Sequence, residues 1–181
     1  AGAAYRRPSY FPQAGEDALA AISREALVPR QGVGIYDGTP LGKFELQGAD
    51  VVEFLERVYT NRWADLEIGQ GRFGLMLRED GRLLDDGVTF RLAANRYWMF
   101  CGTGSADHTF MHLERLLTLE WPELDVHIVR VTSQWANLCI CGPHARDVLL
   151  ACGTNINIAT DALPFMGLRI GQVGGFDVRL A

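Results

Sequence analysis

Three apolar-rich runs separated by two short turns dominate the middle of this sequence, and they restrict its fold more than any other feature. Residues 73–77, 83–92 and 97–101 carry mostly aliphatic, aromatic and β-branched side chains, and Glu79-Asp80-Gly81 and Ala93-Ala94-Asn95 interrupt them. Short Gly- or Asn-containing breaks between such runs make hairpins, so the three segments predict an antiparallel meander. After Gly102-Thr103-Gly104-Ser105, the residues Phe110, Leu113 and Leu117, with neighbouring Met111, recur at helical spacing to about Glu120, and Pro122 ends that helix. Strands at 126–131 and 134–141 complete the order β-β-β-α-β-β. A doubly wound parallel sheet needs a helix between successive strands, so the class is α+β, with antiparallel sheets and helices packed on one side.

The flanks fit this frame. A helix is expected over 16–28, with Leu19, Ile22, Ala26 and Leu27 on one face, acidic residues in its first turn, and Pro29 and Gly32 as its stop. Short strands follow at 34–37 and 42–46, the second alternating Lys43 and Glu45 outward with Phe44 and Leu46 inward. Asp50 is placed to cap a helix reaching Val58 that buries Val51, Phe54, Leu55 and Val58. A further helix is expected over 144–151, and a hairpin around Gly174-Gly175. Residues 1–15, with two prolines and three aromatics in Tyr5-Arg-Arg-Pro-Ser-Tyr-Phe-Pro12, read as an extended arm, and 16–181 as the domain. A last strand with Phe176, Val178 and Leu180 on one side normally has a continuation, so the chain is expected to be part of a longer protein.

Composition bounds the partners. With 48% hydrophobic and 22% charged residues the chain is globular rather than disordered. A net charge of −5 and a single lysine, Lys43, make nucleic acid and anionic membranes poor partners. No apolar stretch approaches the roughly 18 residues of a membrane span, and no secretory signal pattern opens the chain, so a soluble cytoplasmic protein is expected. The four cysteines, Cys101, Cys139, Cys141 and Cys152, lie in or beside apolar runs and read as buried free thiols.

Several short motifs carry little chemistry. Gly69-Gln-Gly71-Arg-Phe-Gly74 matches a dinucleotide-binding spacing, but a strand rather than a helix follows it, which removes the helix N-terminus that would meet a pyrophosphate. Gly102-Thr103-Gly104 stands between a strand and a helix and suits a ligand-lining turn. Cys139-x-Cys141-x-x-His144 supplies three metal-ligand types without a fourth nearby, so no metal site is expected. No nucleophile elbow or paired-histidine zinc motif occurs.

The informative element is Asp85-Asp86, inside the otherwise strand-like Leu83-Leu-Asp-Asp-Gly-Val-Thr-Phe90. Two readings stand. In one, Asp-Asp-Gly is a second bend. In the other, the strand continues, its two carboxylates point to opposite faces, and the inward one requires a cation or N–H donors.

Here the sequence resembles the folate-binding aminomethyltransferase family of the glycine cleavage T-protein. The likeness rests on Val33-Gly-Ile-Tyr-Asp37, Phe44-Glu-Leu-Gln-Gly48, Phe54-Leu55 with Thr60-Asn61, and the whole segment from Gly71 to Gly87. Arg6-Arg-Pro-Ser-Tyr-Phe-Pro12, Thr132-Ser-Gln-Trp-Ala136, Gly142-Pro-His-Ala-Arg146 and Pro164-Phe-Met166 are similar to the C-terminal domain of the alpha subunit of heterotetrameric sarcosine oxidase. The resemblance implies a T-protein-like fold, of which this chain holds the N-terminal part. It also implies tetrahydrofolate as the ligand that captures a one-carbon unit as 5,10-methylenetetrahydrofolate, and flavin only in partner domains or subunits. The implied partners are the other sarcosine oxidase subunits or the rest of its own subunit. The runner-up activities are a glycine cleavage aminomethyltransferase and a non-catalytic folate-binding or assembly domain.

Carried over residue by residue, the resemblance puts Asp85 beside the reactive pterin nitrogens as general base or charge stabiliser. Phe73 stands where the family usually has a tyrosine beside the ligand, and Leu41 where many members have methionine. Cys101 replaces a common asparagine, and Thr103 is placed to restore its hydrogen bond. The family's Tyr-Thr-Gly-Glu or Phe-Thr-Gly-Glu segment would follow Ala181, so this chain is expected to form one wall of the folate pocket.

Overall fold

The computed structural model describes residues 8–181, and the first half of the expected arm lies outside them. A five-stranded antiparallel sheet organises the chain. Its strands are β2 (Gly42–Gln47), β3 (Gly71–Leu77), β4 (Leu83–Ala93), β5 (Arg96–Cys101) and β6 (His127–Arg130), in the spatial order β3-β4-β5-β2-β6. The predicted meander is β3-β4-β5, and β2 inserts between its last strand and β6. Two smaller pairs complete the strands: β1 (Gly34–Asp37) with β7 (Leu138–Cys141), and β8 (Arg169–Val173) with β9 (Phe176–Leu180).

One face of the main sheet carries the helices α2 (Val51–Val58) and α3 (Ala106–Arg115), the latter running on into a single π turn at Leu116–Glu120. Val51, Phe54, Leu55 and Val58 are all buried, which is the i, i+3, i+4, i+7 stripe of an amphipathic helix. They close over Phe44, Leu46, Met76, Tyr97 and Met99 from the sheet and Leu113 from α3. Asp50 begins α2 but makes no side-chain cap. Its Oδ2 instead accepts from Asp125 N at 2.9 Å while Asp125 Oδ2 accepts from Ala49 N at 3.2 Å, a reciprocal clasp between the start of α2 and the approach to β6. Gly48 is needed there, because its φ is +145° and a Cβ would fall 1.9 Å from Asp125 O.

The opposite face is partly covered. Phe90, Trp98, Val131 and Leu168 form a second core with Val88, Phe100 and Trp135. Arg179 of β9 places its guanidinium 4.6 Å from the Trp98 ring and 4.2 Å from the Trp135 ring, and its Nη2 donates to Glu45 Oε1 at 2.7 Å.

Four expectations are corrected. The outward alternation of Lys43 and Glu45 fails, because β2 is an interior strand covered on both faces and both side chains are buried. Glu45 meets Arg96 and Arg179; burial works to raise its pKa, and the two guanidiniums overcome this and hold it below the usual carboxylate value. The first helix, α1 (Ala18–Gln31), carries no acidic residue in its first turn; Asp17 caps it instead, and it continues through Pro29 to end at Gly32. Leu19, Ile22 and Leu27 of α1 are exposed, and within this chain only Ala21 of that helix is fully buried. Finally, all four cysteines are free but only Cys101 is buried. Cys139 and Cys141 lie on a strand that pairs only with β1, in a ribbon whose faces are open, and Cys152 follows the short helix α4 (Ala145–Ala151) at the surface.

Candidate functional site

Local geometry separates the two aspartates. β4 stays paired with β3 through Asp85, Asp86 and Gly87, which rules out a second bend there, and the register shifts only just before them, between Met76 and Leu77. Asp85 lies opposite buried Met76 and therefore faces the helices, whereas Asp86 lies opposite half-exposed Leu75 and faces the other way.

Asp85 is 6% exposed and four donors surround its carboxylate. Oδ1 accepts from Asp86 N at 2.9 Å, Gly102 N at 3.3 Å and Ser105 Oγ at 3.1 Å, and Oδ2 accepts from Thr109 Oγ1 at 2.7 Å. Three donors crowd Oδ1 and one meets Oδ2, so the carboxylate is gripped from its own strand, the β5–α3 turn and α3, with one lone pair of Oδ2 unused by these four. The requirement for N–H or O–H donors around an inward carboxylate is thus met from the β5–α3 turn and the first turn of α3. Sequence reasoning missed Ser105 and Thr109. The available signal was their spacing of four, which puts two hydroxyls on one face at the start of a helix.

Cys101, at the end of β5, belongs to the same helix-facing side. Burial pushes its thiol pKa up, and the neighbouring Asp85 carboxylate adds to the effect. A Cβ on the facing Gly42 would fall 2.3 Å from Cys101 Sγ, so the glycine permits this approach. Thr103 is half-buried in the turn that donates Gly102 N to Asp85. Leu41, half-buried, precedes Gly42, and its carbonyl accepts from Lys43 Nζ at 3.0 Å. Asp85 and Cys101 therefore adjoin, Thr103 follows the Gly102 amide that bonds Asp85, and Leu41 precedes the Gly42 that faces Cys101.

Phe73 is on the other face. It lies opposite Val88, and Lys43 lies opposite Phe100. The row Lys43, Phe100, Val88, Phe73 crosses β2, β5, β4 and β3 on the side away from the helices. Asp86 and Leu75 occupy the next position along β4 and β3. At the β3 end this surface is open, with Phe73 47% and Leu75 40% exposed and Asp86 exposed beside them. An apolar strip edged by one accessible carboxylate suits a flat, partly aromatic ligand that carries an amine.

The remaining motifs are structural. Gly71 and Gly74 of the glycine-spaced segment let β3 lie against Phe90 and against Tyr59 and Trp63, since Cβ atoms there would come within 2.5 and 2.8 Å of those rings. Among the described residues, no three His, Cys, Asp or Glu side chains converge as metal ligands, and no helix is long and apolar enough to cross a membrane.

Relatives of known description match this architecture. The chain is 46% identical over 178 residues to the sarcosine oxidase subunit alpha of Corynebacterium sp. (strain P-1), covering 98% of this chain and 18% of that protein. It is 42% identical to the sarcosine oxidase subunit alpha of Rhizobium meliloti (strain 1021), over 93% of this chain and 17% of that one. The aminomethyltransferase of Anoxybacillus flavithermus is 30% identical over 78% of this chain and 37% of its own length. The chain thus spans about a fifth of the sarcosine oxidase subunits that it matches. Among solved structures, the glycine cleavage system aminomethyltransferase T from Bartonella henselae superimposes with a TM-score of 0.72 at 27% identity, over 82% of this chain and 38% of that one. The antiparallel α+β architecture is therefore that of a glycine cleavage T-protein. The family model described as the GCVT N-terminal domain matches residues 1–181, and the chain belongs to that family.

Proposed function

We propose that this chain forms one wall of a reduced-folate site in a one-carbon transfer domain of a sarcosine oxidase-type demethylase. There an imine or formaldehyde unit would be captured as 5,10-methylenetetrahydrofolate, and the flavin that oxidises the amine would belong to partner domains or subunits. The identity of 42–46% to sarcosine oxidase alpha subunits, against 30% to the Anoxybacillus aminomethyltransferase, favours this reading over a glycine cleavage aminomethyltransferase.

The observation that carries it is the division of labour between adjacent carboxylates. Asp85, the residue indicated by the resemblance, is enclosed by four donors, so its part in the proposal is to fix the Gly102–Ser105 turn and the start of α3. Asp86 keeps free lone pairs on the open face beside Phe73, Val88 and Leu75 and is the carboxylate offered to a ligand. Reduced folate supplies two amine nitrogens that hold one carbon between them. Asp86 orients an amine N–H and takes its proton as that nitrogen adds to the carbon; as the second folate nitrogen bonds to the same carbon, the oxygen of formaldehyde leaves as water, or the nitrogen of the imine leaves as an amine, and Asp86 offsets the positive charge that develops. Phe73, Val88 and Phe100 exclude water from one side of the ring. Leu41 stands at the turn end of the wall, while Cys101 on the helix-facing side and Thr103 in the β5–α3 turn back the sheet from behind.

Calorimetric titration of a full-length protein that carries this chain with 5-formyltetrahydrofolate tests the reading. Saturable heat with protection of Phe73 from solvent supports it. No heat, and no change around Phe73 or Asp86, would remove it.

A further inference from the structure

Lys43, the one lysine among 181 residues, is fully buried. Its ammonium donates to three backbone carbonyls: Thr39 O at 2.7 Å, Leu41 O at 3.0 Å and Thr132 O at 3.3 Å. An ammonium has three donors and no acceptor, so each N–H is used. The backbone of the same residue strengthens the tie. Lys43 N donates to Thr132 Oγ1 at 3.1 Å, and Lys43 O accepts from Val131 N at 2.9 Å. The turn over 38–41 is also held to the β6–β7 connection through Gly38 N to Asn137 O at 2.8 Å and Asn137 N to Thr39 Oγ1 at 3.1 Å.

Lys43 thus joins two backbone segments that meet at one end of the open face. Burying a cation is costly, and burial does push this ammonium below its ordinary pKa, with Asp37 opposing the shift. An apolar residue would fill the space without that cost, but it would leave three carbonyls without a donor and the turn free to shift. The row Lys43, Phe100, Val88, Phe73 spans three strand spacings, about 14 Å at ~4.8 Å each. The Leu41 turn stands at its β2 end and Phe73 at its β3 end.

We propose that Lys43 is a positioning residue for the ligand site. By gripping the Leu41 and Thr39 carbonyls, it fixes the turn at the β2 end of the row that ends on Phe73, and so sets the fit of the ligand ring. This inference rests on the folate reading above.

The test compares dissociation constants for 5-formyltetrahydrofolate in a full-length protein that carries this chain, for wild type, Lys43→Met, Lys43→Arg and a control, Val51→Ala, which loosens the helix-side core. Misplacing a binding wall by about an ångström costs up to about 100-fold, so Lys43→Met is expected to weaken binding by about 10- to 100-fold. Val51→Ala, though less stable, should bind within about twofold of wild type, because it lies more than a layer away. Lys43→Arg keeps the charge but presents a planar fork to three converging carbonyls, and should weaken binding by about threefold or more. That variant carries the test if Lys43→Met does not fold. Wild-type affinity in the Lys43 variants, or an equal loss in Val51→Ala, would overturn the positioning role while leaving the folate site standing. A wild-type full-length protein that binds no reduced folate overturns the site reading itself, and this inference with it.

Discussion

Thr109 Oγ1 donates a 2.7 Å hydrogen bond to Asp85 Oδ2, tying the first helical turn after the meander to the interior of its longest strand. Both residues are buried, Thr109 fully and Asp85 to 6% exposure. Water cannot replace the bond, so Thr109→Val should cost about 1–3 kcal/mol, the range for leaving a buried partner unsatisfied. Asp85→Ala strands Gly102 N, Thr109 Oγ1 and Asp86 N together, while Ser105 Oγ keeps Gly102 O as an acceptor, and should cost more. Urea unfolding followed by far-UV circular dichroism measures both. Equal stability of wild type and Thr109→Val would show that the pair is not closed in solution.

The two carboxylates should separate in function as they do in space. Asp86→Asn removes an exposed base, leaves packing intact, and should change stability by no more than about 0.5 kcal/mol. In a full-length protein that carries this chain, it should lower methylenetetrahydrofolate formation by about 10²–10⁴-fold while amine oxidation continues. Asp85→Asn should act through folding and turn geometry, so its loss of folate coupling should track its loss of stability. If Asp85→Asn stays folded and abolishes coupling while Asp86→Asn does not, the ligand-facing role returns to Asp85. If neither changes coupling, a non-catalytic folate-binding or assembly domain is the better account.

The sequence was legible where a single period governs burial. Val51, Phe54, Leu55 and Val58 obey the helical spacing, and α2 buries all four. Asp85 and Asp86 obey the strand period of two, so their opposite faces could be read in advance. Which face is open could not, because that depends on Ser105 and Thr109 arriving from across the sheet. The alternation expected in β2 failed for a related reason. Lys43 and Glu45 look like solvent positions until Thr132, Arg96 and Arg179, up to 134 residues away, supply their partners. The cysteines were misjudged because an apolar run was equated with a covered strand, whereas among the described residues β7 has only β1 beside it.

That exposure gives a reactivity order. Cys139, Cys141 and Cys152 are open to solvent, while Cys101 is buried and its thiol is pushed up by that burial and by Asp85. The thiolate is the reacting form, so native alkylation at pH 8 should label three cysteines and spare Cys101. Denaturing, non-reducing alkylation should label all four. Intact-mass and peptide mapping distinguish these outcomes. Fast native labelling of Cys101 would mean that the β5–α3 turn opens readily.

The acid limb of stability should carry a contribution from Glu16. Its carboxylate accepts from Arg24 Nε at 2.7 Å and Arg24 Nη2 at 2.9 Å, and from Gln13 N at 2.8 Å. The Arg24 bonds first, and the Gln13 amide second, hold its pKa at about 2 against an ordinary 4.5. A carboxyl whose folded pKa is depressed stabilises the folded chain above its unfolded pKa and loses that effect as pH falls through the folded one. The contribution is therefore fully present at neutral pH and is lost progressively from about 4.5 down to about 2. Chemical denaturation of wild type and Glu16→Gln across this range should show a difference at pH 7 that shrinks steadily below pH 4.5. Because the pair lies at the surface, the difference should also diminish in high salt. A gap that stays constant down to pH 2 would assign the effect of the substitution to the capped start of α1 rather than to the Glu16–Arg24 pair.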